Sequence, residues 1–425
     1  MSEVIKPMDG NLEDINIFDP ELMKCPHSLY KKLRDESPVY QDPTTGVFQV
    51  SKLELICEAA RNAKVFSNDF GSIQKDGGSS DYPQEAADIM LNEGYPSVNT
   101  MLTADPPRHT RYRGLVNKAF SPKRVQDMGP AIEVKTNDII DKFIDTGRCE
   151  VATDIAQQLP IKVIAEALGV SSDHYGDFKV WSQAFTDQLS GTSSPNEHIE
   201  IAKKLVKFQQ FFAGKLDEKA KNPQDDIISD LAVIDFEDEH GVTRKLDKPE
   251  QLSIIQQLLV AGNATTAHSI TETIKLLIEN PDQMGLIAND YSLIPNMVEE
   301  ALRLLTPTNN MWRIVTEDTE LGGVSIPKGS TLLLRYGSAN RDEEVFDKPD
   351  SFDVTRKNAK RHVAFGQGIH VCLGMSLSRK EMYTAFPIII DRLKNMRFAD
   401  GNEFNYSPNV LLRGLDNLHI EFDKP

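Results

Sequence analysis

One apolar segment in the middle of the chain is long enough to form a single helix across a whole domain. It runs from about Pro249 to Asn280, and Pro281 marks its end. At a rise of 1.5 Å per residue, about thirty residues span roughly 45 Å. We therefore expect the rest of the chain to pack around this helix. Its apolar faces are formed by Ile254, Ile255, Leu258, Leu259, Ile270, Ile274 and Leu277.

The middle of this segment is polar and is weak as a helix. Residues 261–266 read Ala-Gly-Asn-Ala-Thr-Thr. Glycine inside a helix costs about 1 kcal/mol relative to alanine, and threonine hydroxyls compete for the backbone hydrogen bonds. A weakened polar stretch inside an apolar helix indicates a functional site.

A glycine-rich loop near the C-terminus carries one cysteine. Residues 365–374 read Phe-Gly-Gln-Gly-Ile-His-Val-Cys-Leu-Gly, with Cys372 seven positions after Phe365. Glycines let the backbone approach a flat ligand, and a helix predicted from about Leu373 would favour the thiolate by its positive N-terminus. An anionic sulfur beside a flat surface suits an axial metal ligand. The alternative is a buried structural thiol, which is the usual role of a lone cysteine.

The pattern Phe-x-x-Gly-x-(His/Arg)-x-Cys-x-Gly, from Phe365 to Gly374, resembles the haem-ligand loop of the cytochrome P450 family. The resemblance extends from about residue 20 to the C-terminus. It implies a mainly α fold with a small β region, in a triangular α-rich arrangement with a long central helix. It also implies haem b (iron protoporphyrin IX) as the cofactor, with Cys372 as the axial ligand of the iron.

The resemblance assigns catalytic roles to the polar middle of the long helix. Thr265 matches the family's threonine, whose hydroxyl helps to protonate bound oxygen. The residue before that threonine is usually Asp or Glu in the family, but here it is Ala264. Proton delivery would then rely on water, on Asn263 or Thr266, or on groups from other segments.

Further residues match haem-binding positions of the family. In the segment after Pro106-Pro107, His109 and Arg113 are four residues apart and share one helical face. The residues alone indicate only a surface pair, whereas the resemblance implies binding of a haem propionate. The full haem-binding set that the resemblance implies is Cys372, His109, Arg113, Arg313, His370, Phe365 and Gly366.

A second pattern of the family is structural. Glu300 and Arg303 are spaced by three residues on a predicted helix and can pair on one face. Such a spacing is common and usually marks a surface pair. The resemblance implies that this pair, with Arg356 as its third member, holds the haem-ligand region in place.

Length and composition favour one large unit. The 425 residues contain no Gly/Ser-rich or Pro-rich linker and no internal repeat, so we expect a single domain over 1–425, with 1–20 as a flexible segment. The four cysteines are scattered, which argues against a disulfide framework and for a reducing compartment. The first twenty residues contain no apolar run that could cross or target a membrane. We therefore expect a cytoplasmic monomer.

The charge distribution bears on possible partners. A net charge of −17 argues against nucleic acid and anionic membranes. The segment from Pro106 to Val125 departs from this average, with six Arg or Lys and no Asp or Glu. Such a run is either a solvated face or, as the resemblance implies, a docking surface for a ferredoxin-type electron donor. The basic residues are Arg108, Arg111, Arg113, Lys118, Lys123 and Arg124.

Three functions fit these observations. The first is a monooxygenase that inserts one oxygen atom from O2 into a hydrophobic small molecule, such as a terpenoid, a steroid-like or an aromatic compound. Its electrons would come from NAD(P)H through a reductase and a ferredoxin, because the chain has no dinucleotide fingerprint or cysteine cluster of its own. Ala264 suggests a second function, a nitric oxide reductase or a peroxide-driven haem enzyme. The third is a non-catalytic haem sensor or carrier, which would need neither the threonine nor the basic run.

Overall fold

The computed structural model of the protein describes residues 5, 7–69, 82–190, 193–238 and 240–425. Most of the regular structure in these residues is helical. The α-helices are α1 Pro20–Lys24, α2 His27–Glu36, α3 Leu53–Arg61, α4 Gln84–Glu93, α5 Arg108–Asn117, α6 Pro122–Asp127, α7 Gly129–Ile140, α8 Gln158–Leu168, α9 Tyr175–Ser190, α10 Pro195–Lys221, α11 Ile227–Val233, α12 Lys248–Glu279, α13 Pro281–Asn289, α14 Ile294–Leu305, α15 Tyr336–Ala339 and α16 Met375–Arg392. The strands are β1 Val39–Gln41, β2 Phe48–Val50, β3 Phe66–Ser67, β4 Arg148–Glu150, β5 Asp235–Glu237, β6 Thr243–Lys245, β7 Met311–Val315, β8 Thr319–Leu321, β9 Val324–Ile326, β10 Thr331–Leu334, β11 Arg397–Phe398 and β12 His419–Glu421.

The chain groups into two compact units. The first comprises Met1–Ser67, Gln126–Leu159 and Thr265–Pro425, and the second comprises Asn68–Val125 and Pro160–Ala264. The expected single domain over 1–425 stays a prediction.

The first unit contains a five-stranded sheet in the order β1-β2-β10-β7-β3. Strands β1 and β2 form an antiparallel hairpin around Gly46, with Val39 opposite Val50. Strand β10 runs parallel to β2 and antiparallel to β7. The sheet and α3 share one apolar core, which includes Phe48, Val50, Ile56, Phe66, Leu332, Leu334 and Phe346.

The N-terminal segment differs from the sequence prediction. Leu12 and Ile17 are buried and pack with Leu29 and Leu33 of α2, so the chain from Leu12 onward is part of the packed molecule rather than a flexible extension. Residues 1–4 and 6 lie outside the described residues. The following segment is divided between α1 and α2, because Pro26 cannot donate the backbone hydrogen bond that would join the two helices.

The second unit contains a helix in a segment that is rich in Gly, Ser and Asp. Within the segment 68–101, α4 packs against α10 and buries Ala86. Tertiary contact thus outweighs the weak helical pattern of these residues. Residues 70–81 of the same segment lie outside the described residues.

Helices α9 and α10 of the second unit pack through aromatic side chains. The ring of Trp181 lies 5.7 Å from that of Phe208 and 5.8 Å from that of Phe212, both fully buried. Phe185 and Phe211 belong to the same group of aromatic side chains. The rings of this group contact one another and form the core between the two helices.

The long central helix is confirmed. Helix α12 runs from Lys248 to Glu279, within a residue or two of the predicted ends. Its aliphatic residues Ile254, Ile255, Leu259, Ile270, Ile274 and Leu277 are fully buried. No helix among the described residues is long and apolar enough to cross a membrane.

Candidate active site

The cysteine loop is closed by its own backbone. The amide of Cys372 donates to the carbonyl of Phe365 at 2.9 Å, and a 3₁₀ turn covers Gly368–His370 between them. Gly366 and Gly368 have φ angles of +71° and +73°, in the left-handed region that other residues adopt only with strain. The two glycines therefore permit the loop to fold back on itself and present the cysteine.

Gly368 also seats the loop on helix α3. A Cβ atom at this position would lie 2.3 Å from the carbonyl oxygen of Ala60, which is far closer than van der Waals contact. The space at Gly366 is more open, since the nearest atom there is the hydroxyl of Tyr336 at 3.7 Å. Gly368 is thus required by a close approach of two backbones, and Gly366 only by its φ angle.

Cys372 differs in its surroundings from the two buried cysteines, Cys57 and Cys149. Burial raises the pKa of Cys57 and raises that of Cys149 further, which keeps both as neutral thiols. Cys372 is only partly buried and lies just before α16, whose N-cap is Gly374. The partial positive charge at this helix start favours an anionic sulfur. The helix begins at Met375 rather than at Leu373 and continues through Pro387 to Arg392.

The threonines of α12 are placed by hydrogen bonds along the helix. Ser269 donates to the carbonyl oxygen of Thr265 at 2.8 Å. Thr266 donates to the hydroxyl of Ser378 at 3.1 Å. Ser378 lies in the first turn of α16, six residues after Cys372. This bond joins the threonine pair to the helix that follows the cysteine loop.

Asn263, the third predicted catalytic residue, belongs to the second unit. Its amide nitrogen donates to the hydroxyl of Ser182 on α9 at 2.8 Å. Its amide oxygen is enclosed and accepts no hydrogen bond from the described residues.

Arg313 provides a test of whether these residues fit a haem. It lies on β7, is fully buried, and donates to the carbonyl of Trp312 at 2.7 Å. In the part of the chain that the structure describes, no carboxylate pairs with it. A buried guanidinium needs an anionic partner to offset its lost hydration. The propionate that the resemblance assigns to Arg313 would supply one, so the residue fits the cofactor.

The remaining predicted haem-binding residues are placed as follows. His370 lies in the 3₁₀ turn, and Phe365 is partly buried beneath the guanidinium of Arg379, 4.8 Å from the ring centroid. His109 is buried in α5 of the second unit, and Arg113 is partly exposed one turn later on the same helix. Their role at a propionate stays a prediction.

The basic run of 106–125 occupies α5 and the start of α6. Lys118 and Lys123 are exposed, whereas the four arginines are partly buried. Arg124 forms ion pairs with Asp225 and Asp230 of the same unit. Arg108 donates to the carbonyl of Asn99 at 3.1 Å. The two lysines are therefore the most accessible charges of this segment.

Glu300 holds two arginines, as the resemblance implied. Arg303 donates to it at 2.7 and 2.8 Å, and Arg356 donates at 2.8 Å. Arg303 also donates to the carbonyl oxygens of Asn340 and Pro349. The pair is structural, because its contacts tie α14 to the segment 340–356.

The neighbouring Glu299 was missed by sequence reasoning. Arg379 donates to its two oxygens at 2.7 Å each, and the Tyr383 hydroxyl donates at 2.8 Å. The Nε2 atom of His362 lies 3.2 Å from Glu299. Burial would raise the pKa of Glu299, but hydrogen bonds from His362 and Arg379 outweigh it and lower the pKa to about 2. The Glu-Glu doublet at 299–300 was the only local signal.

Two asparagines before β7 are held by hydrogen bonds. Asn309 and Asn310 are both buried and accept hydrogen bonds from the Tyr30 hydroxyl. Asn310 also donates to the carbonyl of Val410 at 2.6 Å. The two amides hold the segment before β7 to α2 and to the C-terminal turn.

Known proteins resemble this chain over nearly its whole length. The family model for cytochrome P450 matches residues 73–403. The 6-deoxyerythronolide B hydroxylase of Saccharopolyspora erythraea is 34% identical over 80% of this chain and 84% of its own. The steroid C26-monooxygenase of Mycobacterium tuberculosis is 31% identical over 97% of both chains. The structure of cytochrome P450 CREJ in complex with (4-ethylphenyl) dihydrogen phosphate has a TM-score of 0.86 and 28% identity, covering 97% of this chain and all of the other. The chain thus belongs to the cytochrome P450 family and is a haem-thiolate oxidoreductase of the monooxygenase class.

Proposed function

We propose that this protein inserts one oxygen atom from O2 into a hydrophobic small molecule, with Cys372 as the thiolate ligand of a haem b iron. The observation that carries the proposal is the seat of the cysteine loop. Gly368 lies against Ala60 and the Cys372 amide bonds Phe365, which fixes the sulfur at the start of α16. A thiolate ligand donates electron density to the iron and favours cleavage of the O–O bond.

The other residues act on the cofactor and on protons. Arg313 would pair with one propionate, because its buried guanidinium otherwise has no carboxylate among the described residues. His370, His109 and Arg113 are proposed for the propionates from the family pattern. Thr265 would hold a proton donor in the site, and Phe365 and Gly366 would shape the loop that carries Cys372.

The missing acid at position 264 has to be replaced. Thr266 donates to Ser378 and Asn263 donates to Ser182, so neither is a simple substitute for a carboxylate. We propose that water bound to the Asn263 amide oxygen delivers the protons. That oxygen is enclosed and unpartnered among the described residues, and water is the simplest donor that could satisfy it.

The substrate class follows the relatives. The names of the two curated relatives give 6-deoxyerythronolide B and a steroid, and the solved structure contains (4-ethylphenyl) dihydrogen phosphate. We propose a terpenoid, steroid-like or aromatic compound. Electrons would come from NAD(P)H through a reductase and a ferredoxin docking at the exposed Lys118 and Lys123. A cytoplasmic, monomeric enzyme fits this arrangement.

Ala264 keeps a second function under consideration, a haem-thiolate nitric oxide reductase or a peroxide-driven enzyme. The deciding experiment is anaerobic turnover of nitric oxide by the haem-loaded protein with NADH or NADPH and no ferredoxin. Rapid nucleotide oxidation with formation of nitrous oxide would overturn the monooxygenase proposal. No turnover, with activity only when a ferredoxin system, O2 and an organic compound are present, would support it.

The ligand assignment is tested by Cys372→Ser. We expect the variant to lose the carbon monoxide difference band that is characteristic of a thiolate-bound haem. Cys25→Ser is the matched control, since Cys25 is exposed. An unchanged band in Cys372→Ser would contradict the assignment.

A further inference from the structure

A buried ionic network lies directly behind the cysteine loop. Glu299 is fully buried on α14 and receives both hydrogen bonds of the Arg379 guanidinium fork, at 2.7 Å each. Tyr383, one turn further along α16, donates to the same carboxylate at 2.8 Å. Glu299 therefore fixes the position of Arg379 with a rigid, two-point contact.

The third partner of Glu299 comes from the segment that precedes the cysteine loop. The amide of Ala364 donates to Nδ1 of His362 at 3.1 Å, so the ring proton lies on Nε2 and can be donated to Glu299. The His362 ring lies 5.9 Å from that of Phe365. The network thus touches the loop from both ends, through His362 before it and through Arg379 after it.

Arg379 places a positive charge next to the ligand loop. Its guanidinium lies 4.8 Å from the centroid of the Phe365 ring. Burial lowers the pKa of Arg379, but Glu299, Tyr383 and the charge of Cys372 raise it above its ordinary value. The guanidinium is therefore a permanent cation in the field of the sulfur.

The partners of the arginine bound to Glu299 differ from those of the arginines bound to Glu300. Glu300 binds two arginines whose other hydrogen bonds go to backbone carbonyls, which is the pattern of a structural clamp, and Arg303 also lies over the Phe346 ring. Arg379 makes its two hydrogen bonds to Glu299 and stacks on an aromatic ring of the loop. Tyr383 and the charge of Cys372 also act on this guanidinium.

We propose that the Glu299–Arg379 pair sets the reduction potential of the haem iron by balancing one positive and one negative charge behind the Cys372 sulfur. Both are positioning residues, since they act through the loop and the thiolate. Reduction adds one negative charge to the haem–thiolate centre, so a nearby cation favours the ferrous state and a nearby anion favours the ferric state. This inference rests on the assignment of Cys372 as the iron ligand.

The proposal predicts that removing the positive charge of Arg379 and removing the negative charge of Glu299 shift the midpoint potential in opposite directions. Arg379→Gln leaves Glu299 unbalanced, and we expect a lower midpoint potential. Glu299→Gln leaves Arg379 unbalanced, and we expect a higher one. Each substitution should change the ferrous-to-ferric ratio at a fixed applied potential about tenfold. This corresponds to a shift of about 59 mV in the midpoint potential of a one-electron couple. The measurement is a spectroelectrochemical titration of the haem-loaded protein.

Three further variants separate charge from structure. Glu299→Gln combined with Arg379→Gln removes both charges, and its potential should return close to that of the unmodified protein. Arg379→Lys keeps the charge without the fork, so its potential should also stay close. Lys380→Gln is the matched control, because Lys380 is the next residue but contacts Gly129 on α7 instead. It should leave the potential nearly unchanged.

Shifts of the same sign in both single variants, or a shift in Lys380→Gln equal to that in Arg379→Gln, would overturn the proposal. Each variant is also examined for its carbon monoxide difference band. A thiolate band in the unmodified protein with unchanged potentials in both variants would refute the network's role while leaving Cys372 as the ligand. A missing thiolate band in the unmodified protein would refute the ligand assignment instead.

Discussion

Arg303 donates two hydrogen bonds to Glu300, from Nε to Oε2 at 2.7 Å and from Nη2 to Oε1 at 2.8 Å, and both side chains are fully buried. Arg356 donates to the same carboxylate from a segment more than fifty residues later. Two buried cations thus share one anion. The position of Arg356, in the segment that leads into the cysteine loop, depends on this balance of charges.

Glu300→Ala should therefore be strongly destabilising. Removing one member of a buried ion pair leaves an uncompensated charge and costs about 3–5 kcal/mol. We expect the free energy of unfolding in urea to fall by about that amount, with loss of bound haem. Glu200→Ala is the control, because the Glu200–Lys203 pair is exposed and should contribute nothing measurable. Equal stability of the two variants would contradict the clamp.

Glu299 should make the protein sensitive to acid. Its pKa is lowered from 4.5 to about 2, so its stabilising contribution is complete above about pH 4.5 and is lost as the pH falls towards 2. The shift corresponds to about 3 kcal/mol. We expect Glu299→Gln to reduce stability at neutral pH and to flatten the loss between pH 4.5 and 2, measured by urea midpoints at each pH.

The control for this pH dependence is Glu343→Gln. Arg34 also lowers the pKa of Glu343 to about 2, against the opposing effect of burial. However, the Glu343 side chain is 40% exposed, so water screens the pair and the change in slope should be smaller. A steeper effect at Glu343 than at Glu299 would show that burial does not govern the acid response.

The adjacent carboxylates Glu299 and Glu300 show what the sequence could and could not reveal. Glu300 was predictable because its partner Arg303 is three residues away on the same helix. Glu299 binds His362 and Arg379, which are 63 and 80 positions away. A short spacing in the sequence cannot predict a contact between residues so far apart. The same limit explains Asn309 and Asn310, whose partner Tyr30 is some 280 positions away.

The long helix and the cysteine loop were predictable for the opposite reason. The α12 pattern is local and periodic, and its ends follow from Pro249 and Pro281. The loop is a contiguous motif, so the family and the mainly α fold with a small β region followed from it. The need for glycine at position 368 could not be predicted from the sequence. A side chain there would collide with the carbonyl oxygen of Ala60, which is about three hundred residues earlier in the chain.

Alanine substitution of the two loop glycines should separate strain from collision. Gly366→Ala strains the backbone at a left-handed φ and should cost about 1–3 kcal/mol of unfolding free energy. Gly368→Ala adds the collision with Ala60, and we expect a larger loss together with a weaker thiolate band. Gly401→Ala is the control, since its φ is +85° and its surroundings are open. Equal losses in all three variants would show that only the φ angle matters.

The last prediction concerns Thr265. Thr265→Ala removes the hydroxyl proposed to hold the proton donor, and general acid catalysis contributes roughly 10²–10⁴-fold to rate. We expect NAD(P)H oxidation to continue while product falls at least tenfold and hydrogen peroxide rises, measured with a steroid or terpenoid that supports turnover. Thr265→Ser should retain most of the coupling. Thr273→Val is the control on the same helix, because Thr273 donates to the carbonyl of Ser269. Full coupling in Thr265→Ala would mean that protons arrive by a route independent of this hydroxyl.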